Sequence, residues 1–300
     1  MTRVLFVAGS GRSGSTLVTN LLGQVDGVFA AGELRYLWQR GAMDDRRCGC
    51  GRPFAECPVW TRVMKELDAD PPAVVDHLRR RLRMRRLPAM LWRRRVEAHP
   101  AIPALYAALG DDLVVDSSKL PPYGLLVDGL PGVETRVLHL VRDPRATAFS
   151  WRRRRGLDGP GDDRLMSRPP VAKAALLWLV WNATAALLWR RSGRYLRVRY
   201  EDLVADPAAV TGRIAAFAGV PAPDVVGTTV HLAPTHAVAG NPSRHRTGDV
   251  TVRVDDEWVN GLSRPAFALV TAITAPLLWR WRYPLRRAAA SARSGRTEGG

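Results

Sequence analysis

Lysine is nearly missing from this chain. Of its 45 basic residues, all but Lys65, Lys119 and Lys173 are arginine. Cysteine is almost as rare: Cys48, Cys50 and Cys57 lie within ten residues of one another, and an odd count excludes a framework of paired disulfides. Long apolar runs are also lacking. Ala174–Trp189 and Pro265–Trp279 fall short of the roughly 20 residues that span a bilayer, and Asn182 and Pro276 interrupt them, so both read as buried helices. The first apolar run, Val4 to Ala8, is too short for the core of a signal peptide and leads straight into a Gly/Ser loop. These absences predict a cytoplasmic chain, with contact at a membrane surface as an alternative.

What is present is arginine and an apolar core. The 300 residues are 46% hydrophobic, enough for one large α/β domain with a buried interior. The net charge of +17 suits anionic partners such as phosphorylated ligands, acidic lipid or nucleic acid. The extreme Arg:Lys ratio favours a plainer source, a general preference for Arg on solvated faces. It also makes each Lys noteworthy.

The pattern alternates strands and helices. Arg3–Ala8 reads as a buried parallel strand, Gly9–Gly14 as a loop and Ser15–Leu22 as a helix. Further strands are predicted at Gly27–Ala31, Leu113–Val115, Thr135–Val141 and Tyr195–Arg199, with helices after Asp143-Pro144, over Ala172–Arg191 and over Pro207–Ala218. Such alternation predicts a three-layer α/β/α fold around a central parallel sheet. The domain is read as residues 1–287, carrying an Arg- and Cys-rich, mostly helical insertion at about 41–105 over the carboxyl edge of the sheet. The small, polar residues 288–300 read as a disordered tail.

The loop Gly9-Ser10-Gly11-Arg12-Ser13-Gly14-Ser15-Thr16 fits the Gly-x-Gly-x-x-Gly turn of dinucleotide-binding folds, and nearly fits a phosphate loop with Ser15 where the lysine belongs. In either case glycines allow a tight turn, backbone N–H groups point inward and the following helix presents its positive end to an anion. Absence of the lysine disfavours ATP or GTP hydrolysis. Glu33, 19 residues after Gly14, stands near the place of a ribose-binding acid, but Arg12 and the hydroxyls of Ser13, Ser15 and Thr16 offer more anion donors than a pyrophosphate turn requires.

VAGSGRSGSTLVTNLL resembles the 5′-phosphosulfate loop of the sulfotransferases that use 3′-phosphoadenosine 5′-phosphosulfate (PAPS), most in the style of bacterial members and protein-tyrosine sulfotransferases. The resemblance implies a phosphate-loop-like sulfotransferase fold, PAPS as co-substrate and no required metal. It assigns Gly11, Arg12, Ser13, Gly14, Ser15 and Thr16 to the phosphosulfate. In that family a strand-end Arg and a helix Ser eight residues apart bind the 3′-phosphate, and Arg142 and Ser150 stand at that separation. Arg199-Tyr200-Glu201-Asp202-Leu203 resembles a later strand–helix junction. Gly240-Asn241-Pro242-Ser243-Arg244, then Arg246 and Gly248, resembles the loop that closes over the nucleotide, with Arg244 a further phosphate contact.

Sulfuryl transfer needs a base for the acceptor hydroxyl, a cation at the leaving oxygen and anchors for the donor. Glu33, 21 residues after Arg12, stands at the offset of the catalytic Glu in the tyrosine sulfotransferases; the plainer reading is an ion pair with Arg35 or another surface Arg. His236 and His139 are fallback bases, the latter reading as a strand-core residue. Lys119, after Asp116-Ser117-Ser118, resembles a family lysine near the sulfate, to act together with Arg12. The implied acceptor is a hydroxyl of a small molecule, carbohydrate or lipid.

Two further constellations stand outside this reading. Cys48, Cys50 and Cys57 suggest a reduced structural cluster rather than a metal site, since a fourth ligand would have to be His77 or His99. Arg79–Arg95 holds nine arginines on an amphipathic segment that suits an anionic acceptor, acidic lipid or only solvent; specific nucleic-acid recognition is not expected. The competing function is a non-catalytic anion-binding module, with a nucleotide-dependent kinase (Asp116 as its Mg²⁺ carboxylate) or a dehydrogenase behind it.

Overall fold

The computed structural model describes residues 1–110, 113–153, 156 and 168–286. The tail 288–300, and Arg154 and Arg155 of the basic run Arg152–Arg155, lie outside the described residues. Five parallel strands form the main sheet: β1 (Thr2–Gly9), β2 (Val28–Gly32), β3 (Leu113–Lys119), β4 (Val133–Val141) and β5 (Tyr195–Arg199), in the order β2-β3-β1-β4-β5. A small antiparallel ribbon pairs β6 (Thr229–Leu232) with β7 (Gly248–Thr251). The helices are α1 (Ser15–Leu22), α2 (Pro58–Glu66), α3 (Pro71–Arg81), α4 (Leu87–Arg93), α5 (Ala101–Ala108), α6 (Pro121–Asp128), α7 (Pro144–Arg152), α8 (Val171–Trp189), α9 (Tyr200–Ala205), α10 (Pro207–Ala218), α11 (Trp258–Gly261) and α12 (Arg264–Arg280).

The almost unbroken apolar run of β1 is explained by its position. Val4, Phe6 and Ala8 face one core, shared with Leu105 and Tyr106 of α5, Tyr123 of α6 and Trp189 of α8; Leu5 and Val7 face a second, shared with Val18 of α1 and Ile214 of α10. A strand covered on both faces must be apolar at every position. This is the expected three-layer α/β/α architecture.

The segment 41–105 is mostly helical. Trp60, Val74, Leu78 and Ile102 belong to the same core as Phe6 and Val114, so the insertion is part of one covering layer. The β6–β7 ribbon is absent from the sequence reading, because its strands have only four residues each and little alternation.

The apolar helix α8 has 19 residues and passes a length-and-composition test for crossing a membrane. It packs on the sheet, α7 and α12, and its Asn182 is fully buried, with Oδ1 2.8 Å from His139 Nε2 and Nδ2 donating to Trp178 O. The expectation of two buried helices holds for one face of each: Leu176 and Leu187 of α8 are exposed, as are Leu269 and Trp279 of α12.

Topology places the site. β1 sits between β3 and β4, and the chain leaves it in opposite directions, giving a crevice at the carboxyl ends of three adjacent strands. Gly9, Lys119 and Val141 end those strands.

Candidate active site

The loop after β1 holds its shape by close approaches. Gly14 is the N-cap of α1 at φ 92°, and an added Cβ would lie 2.4 Å from the Tyr200 ring. At Gly11 an added Cβ would lie 2.4 Å from the Trp151 ring. Only glycine allows both the left-handed turn and these contacts. With no side-chain cap on α1, the first N–H groups of the helix point into the crevice.

Arg12 has φ 67° and Lys119 φ 64°, so both adopt the left-handed conformation that non-glycine residues rarely occupy. Strain of this kind is held in place by surrounding structure, and here it falls at two residues the sequence nominates for chemistry. The Arg12 guanidinium lies over the Trp151 ring, 4.9 Å from its centroid.

A cavity of about 730 Å³ opens over the loop. Its walls bring together Gly11, Arg12, Gly14, Ser15, Thr16, Glu33, Lys119, Arg142 and Ser150 from strand ends and helices far apart in sequence. Two nominated residues are placed differently. Ser13 is fully buried and does not line the cavity; its Oγ has no hydrogen-bond partner. Arg244 is buried in the late loop, donating to Gly240 O and Arg47 O, while its neighbours Asn241, Ser243 and Arg246 reach the cavity instead. The sequence could not distinguish Arg244 from Arg246, since both lie in one arginine-rich turn.

Glu33 and Lys119 form a buried ion pair. Lys119 Nζ donates to Glu33 Oε1 at 2.7 Å, to Ser117 O at 2.8 Å and to Ser15 Oγ at 3.2 Å. The partner of Glu33 is thus Lys119, neither Arg35 nor an exposed Arg. Burial works to raise the Glu33 carboxyl, but Lys119, Arg40 and Arg35 together outweigh it and hold the group below its ordinary value. Burial lowers the Lys119 ammonium, with Glu33 opposing.

Arg142 lies at the end of β4, with Nη2 3.0 Å from Asp255 Oδ2 and its guanidinium 4.4 Å from the centroid of the Tyr200 ring. The simple alternative, pairing with the adjacent Asp143, does not occur. Asp143 caps α7 by accepting from Arg145 N and binds the fully buried Arg145 side chain. Ser150, two turns further along α7, faces the same cavity.

Neither fallback base reaches the cavity, and His139 is the strand-core residue the sequence suggests. His139 is buried, with Nδ1 2.6 Å from Tyr195 Oη and Nε2 2.8 Å from Asn182; burial depresses its pKa to about 4. It is a core residue. His236 does not line the cavity and lies among the cysteines, 3.3 Å from Cys57 Sγ. Asp116, the carboxylate a kinase would require, is buried away from the cavity and accepts from Tyr106 Oη and Ser118. Sequence reasoning missed Asp255, Trp151, Tyr36 and Trp181, all of which line the cavity without belonging to a recognisable motif.

The profile of the Sulfotransferase family matches residues 5–224. Carbohydrate sulfotransferase 2 of Mus musculus is 30% identical over 143 residues, as is its Homo sapiens counterpart; each alignment covers 36% of this chain, which spans 26% of the length of these curated relatives. Among solved structures, the sulfotransferase domain of the Synechococcus PCC 7002 olefin synthase superposes at TM-score 0.55 with 22% identity, covering 95% of this chain and 96% of that one. The sulfotransferase domain of the curacin biosynthetic pathway gives 0.51 and 18%, covering 95% and 99%. At these identities the two structures establish likeness of fold.

Proposed function

Because this chain belongs to the sulfotransferase family, we propose that it transfers the sulfuryl group of PAPS to a hydroxyl acceptor. The convergence of Arg12, Arg142, Ser150, Glu33 and Lys119 on one cavity carries the reading. A binding module has no use for a buried carboxylate–ammonium pair beside two separate anion sites. A kinase would need a phosphate-loop lysine, and Ser15 stands in that position.

The donor's phosphosulfate is read by the N–H groups of the Gly11–Thr16 loop with Arg12, and its 3′-phosphate by Arg142 and Ser150. The reaction is an in-line displacement. The acceptor oxygen forms a bond to sulfur as the bond from sulfur to the bridging oxygen breaks, and adenosine 3′,5′-bisphosphate departs with that electron pair. Glu33, ionised at neutral pH, takes the acceptor proton. Lys119 and Arg12 stabilise the charge that develops on the bridging oxygen.

The acceptor we propose is a carbohydrate hydroxyl, in keeping with the names of the curated relatives. Trp181 supplies an aromatic face for a sugar ring, and Arg35, Arg40 and Lys173 would favour one bearing acidic groups. The site of action we favour is the cytoplasm, near a membrane surface that exposed Trp279 and the adjacent Arg280 and Arg282 would touch.

The deciding measurement is thermal stabilisation of the protein by adenosine 3′,5′-bisphosphate against ATP and NAD. Selective stabilisation by the bisphosphate is the expected result. Equal or absent stabilisation would remove the donor assignment.

A further inference from the structure

The cysteine cluster acquires a fourth member in three dimensions. Cys48, Cys50 and Cys57 of the insertion surround His236, and the four possible donor atoms all lie within 4.8 Å of one another. His236 Nδ1 is 3.3 Å from Cys57 Sγ and 3.9 Å from Cys48 Sγ. A tetrahedral zinc with bonds of about 2.3 Å to sulfur and about 2.0–2.1 Å to nitrogen sets its donors about 3.5–3.8 Å apart. The observed spacing already approaches that of a coordinated set. His77 and His99 are not part of it; they contact each other, with ring centroids 5.5 Å apart.

The surroundings are built to hold the four together. Cys48 and Cys57 are fully buried. The cysteine turn is closed by Cys48 N donating to Arg52 O and Gly51 N to Cys48 O, and Gly49 N donates to Ala237 O at 2.9 Å, beside the histidine. A Cβ at Gly49 would lie 2.6 Å from Thr235 O, so only glycine permits this approach. On the other side Trp60 Nε1 donates to His236 O at 2.8 Å. All three cysteines are free of disulfides. Three thiolates around a dication leave a net negative site, and Arg46, Arg47 and Arg52 flank it in sequence.

We propose that Cys48, Cys50, Cys57 and His236 bind a structural zinc ion. Four protein ligands leave no open position, so the metal holds structure rather than activating water. Binding is balanced by loss of the three thiol protons to solvent. The fastening has a definite object. His236 immediately precedes the segment in which Val238 N donates to Ala31 O, Gly240 approaches Glu33, and Asn241 N donates to Thr16 Oγ1. Arg244 donates to Arg47 O at 3.0 Å, joining that segment again to the cysteine turn. Zinc would therefore tie the insertion to the loop over the candidate nucleotide cavity. The metal site stands without the sulfotransferase reading; only an effect on nucleotide binding rests on it.

The test is metal content of the full chain, purified without chelator and measured by mass spectrometry, with cobalt(II) uptake followed by its visible absorption. The expected result is about one zinc per chain, and for the cobalt form the intense bands of a tetrahedral thiolate site. His236→Ala and Cys50→Ser should each weaken zinc retention about tenfold or more against a competing chelator, and His236→Cys should restore it. If a variant fails to fold, the wild-type measurements decide alone. Folded wild-type protein that carries no zinc, takes up none from zinc-buffered solution and shows three thiols equally reactive with and without zinc would overturn the proposal. So would a disulfide between two of the three in protein prepared under reducing conditions. Neither result would touch the response to adenosine 3′,5′-bisphosphate that tests the function.

Discussion

Asp255 occupies the Arg142 guanidinium: its carboxylate lies 3.0 Å from Nη2, and the same carboxylate is 2.8 Å from Arg153. Arg142 and Arg153 hold the Asp255 carboxyl below its ordinary value despite burial that raises it, so it is an anion at neutral pH. A carboxylate between two guanidiniums stands where the 3′-phosphate is proposed to bind. Asp255→Asn should therefore tighten binding of adenosine 3′,5′-bisphosphate, by about three- to tenfold in calorimetry, on the scale of one partly exposed ion pair. Arg142→Ala should raise KM for PAPS at least tenfold and lower kcat less. Unchanged affinity in both variants would place the 3′-phosphate elsewhere.

Glu33 and Lys119 should be strongly coupled. Removing one partner of a buried pair leaves an uncompensated charge and costs about 3–5 kcal/mol. Glu33→Gln and Lys119→Met should each lower stability in urea by that order, and the double variant should lose much less than their sum. Transfer activity should fall by about a hundredfold or more in each single variant and should not return in the double. Recovery of stability without activity separates a chemical role from a packing role.

The same pair fixes a pH dependence. With its pKa below the usual 4.5, Glu33 remains ionised as pH falls through the ordinary carboxylate range. The stability its ion pair contributes is present above the unfolded value and is lost only as pH drops through the lower folded value. The acid limb of kcat/KM, which reports the free protein, should accordingly lie below pH 4.5. With Lys119 lowered from 10.5, the alkaline limb should begin below that value. A limb near neutrality in a pH–rate profile would point to a different base.

Gly11 and Gly14 should fail for different reasons. Gly14→Ala imposes φ 92° on an L-residue and drives a methyl into Tyr200, and should lower stability by about 2 kcal/mol or more on denaturant unfolding. Gly11→Ala meets only the Trp151 ring, on which Arg12 rests. Its effect should fall chiefly on KM for PAPS, with stability changed by less than about 1.5 kcal/mol.

The legible parts of this molecule were those written in contiguous residues. β1, the glycine loop and α1 follow from one stretch of apolar, glycine and helical periodicity, and Asp143-Pro144 marks the start of α7 by local capping alone. Contacts between remote segments were not legible. The chain places Asp255 against Arg142 and His236 against Cys57 through loops whose sequence carries no periodic signal. The choice between Arg244 and Arg246 turns on a side-chain direction within one short turn, and that is set by Arg47 O across the molecule.

The position of β1 also orders events in time. Its partners are strands β3 on one side and β4 on the other, so during synthesis β1 can pair with neither until about a hundred further residues have followed. Until then Leu5, Phe6 and Val7 have no sheet to enter. The glycine loop is thus made before the strands that fix its place, and the apolar strand before it stays unpaired while the insertion is being made.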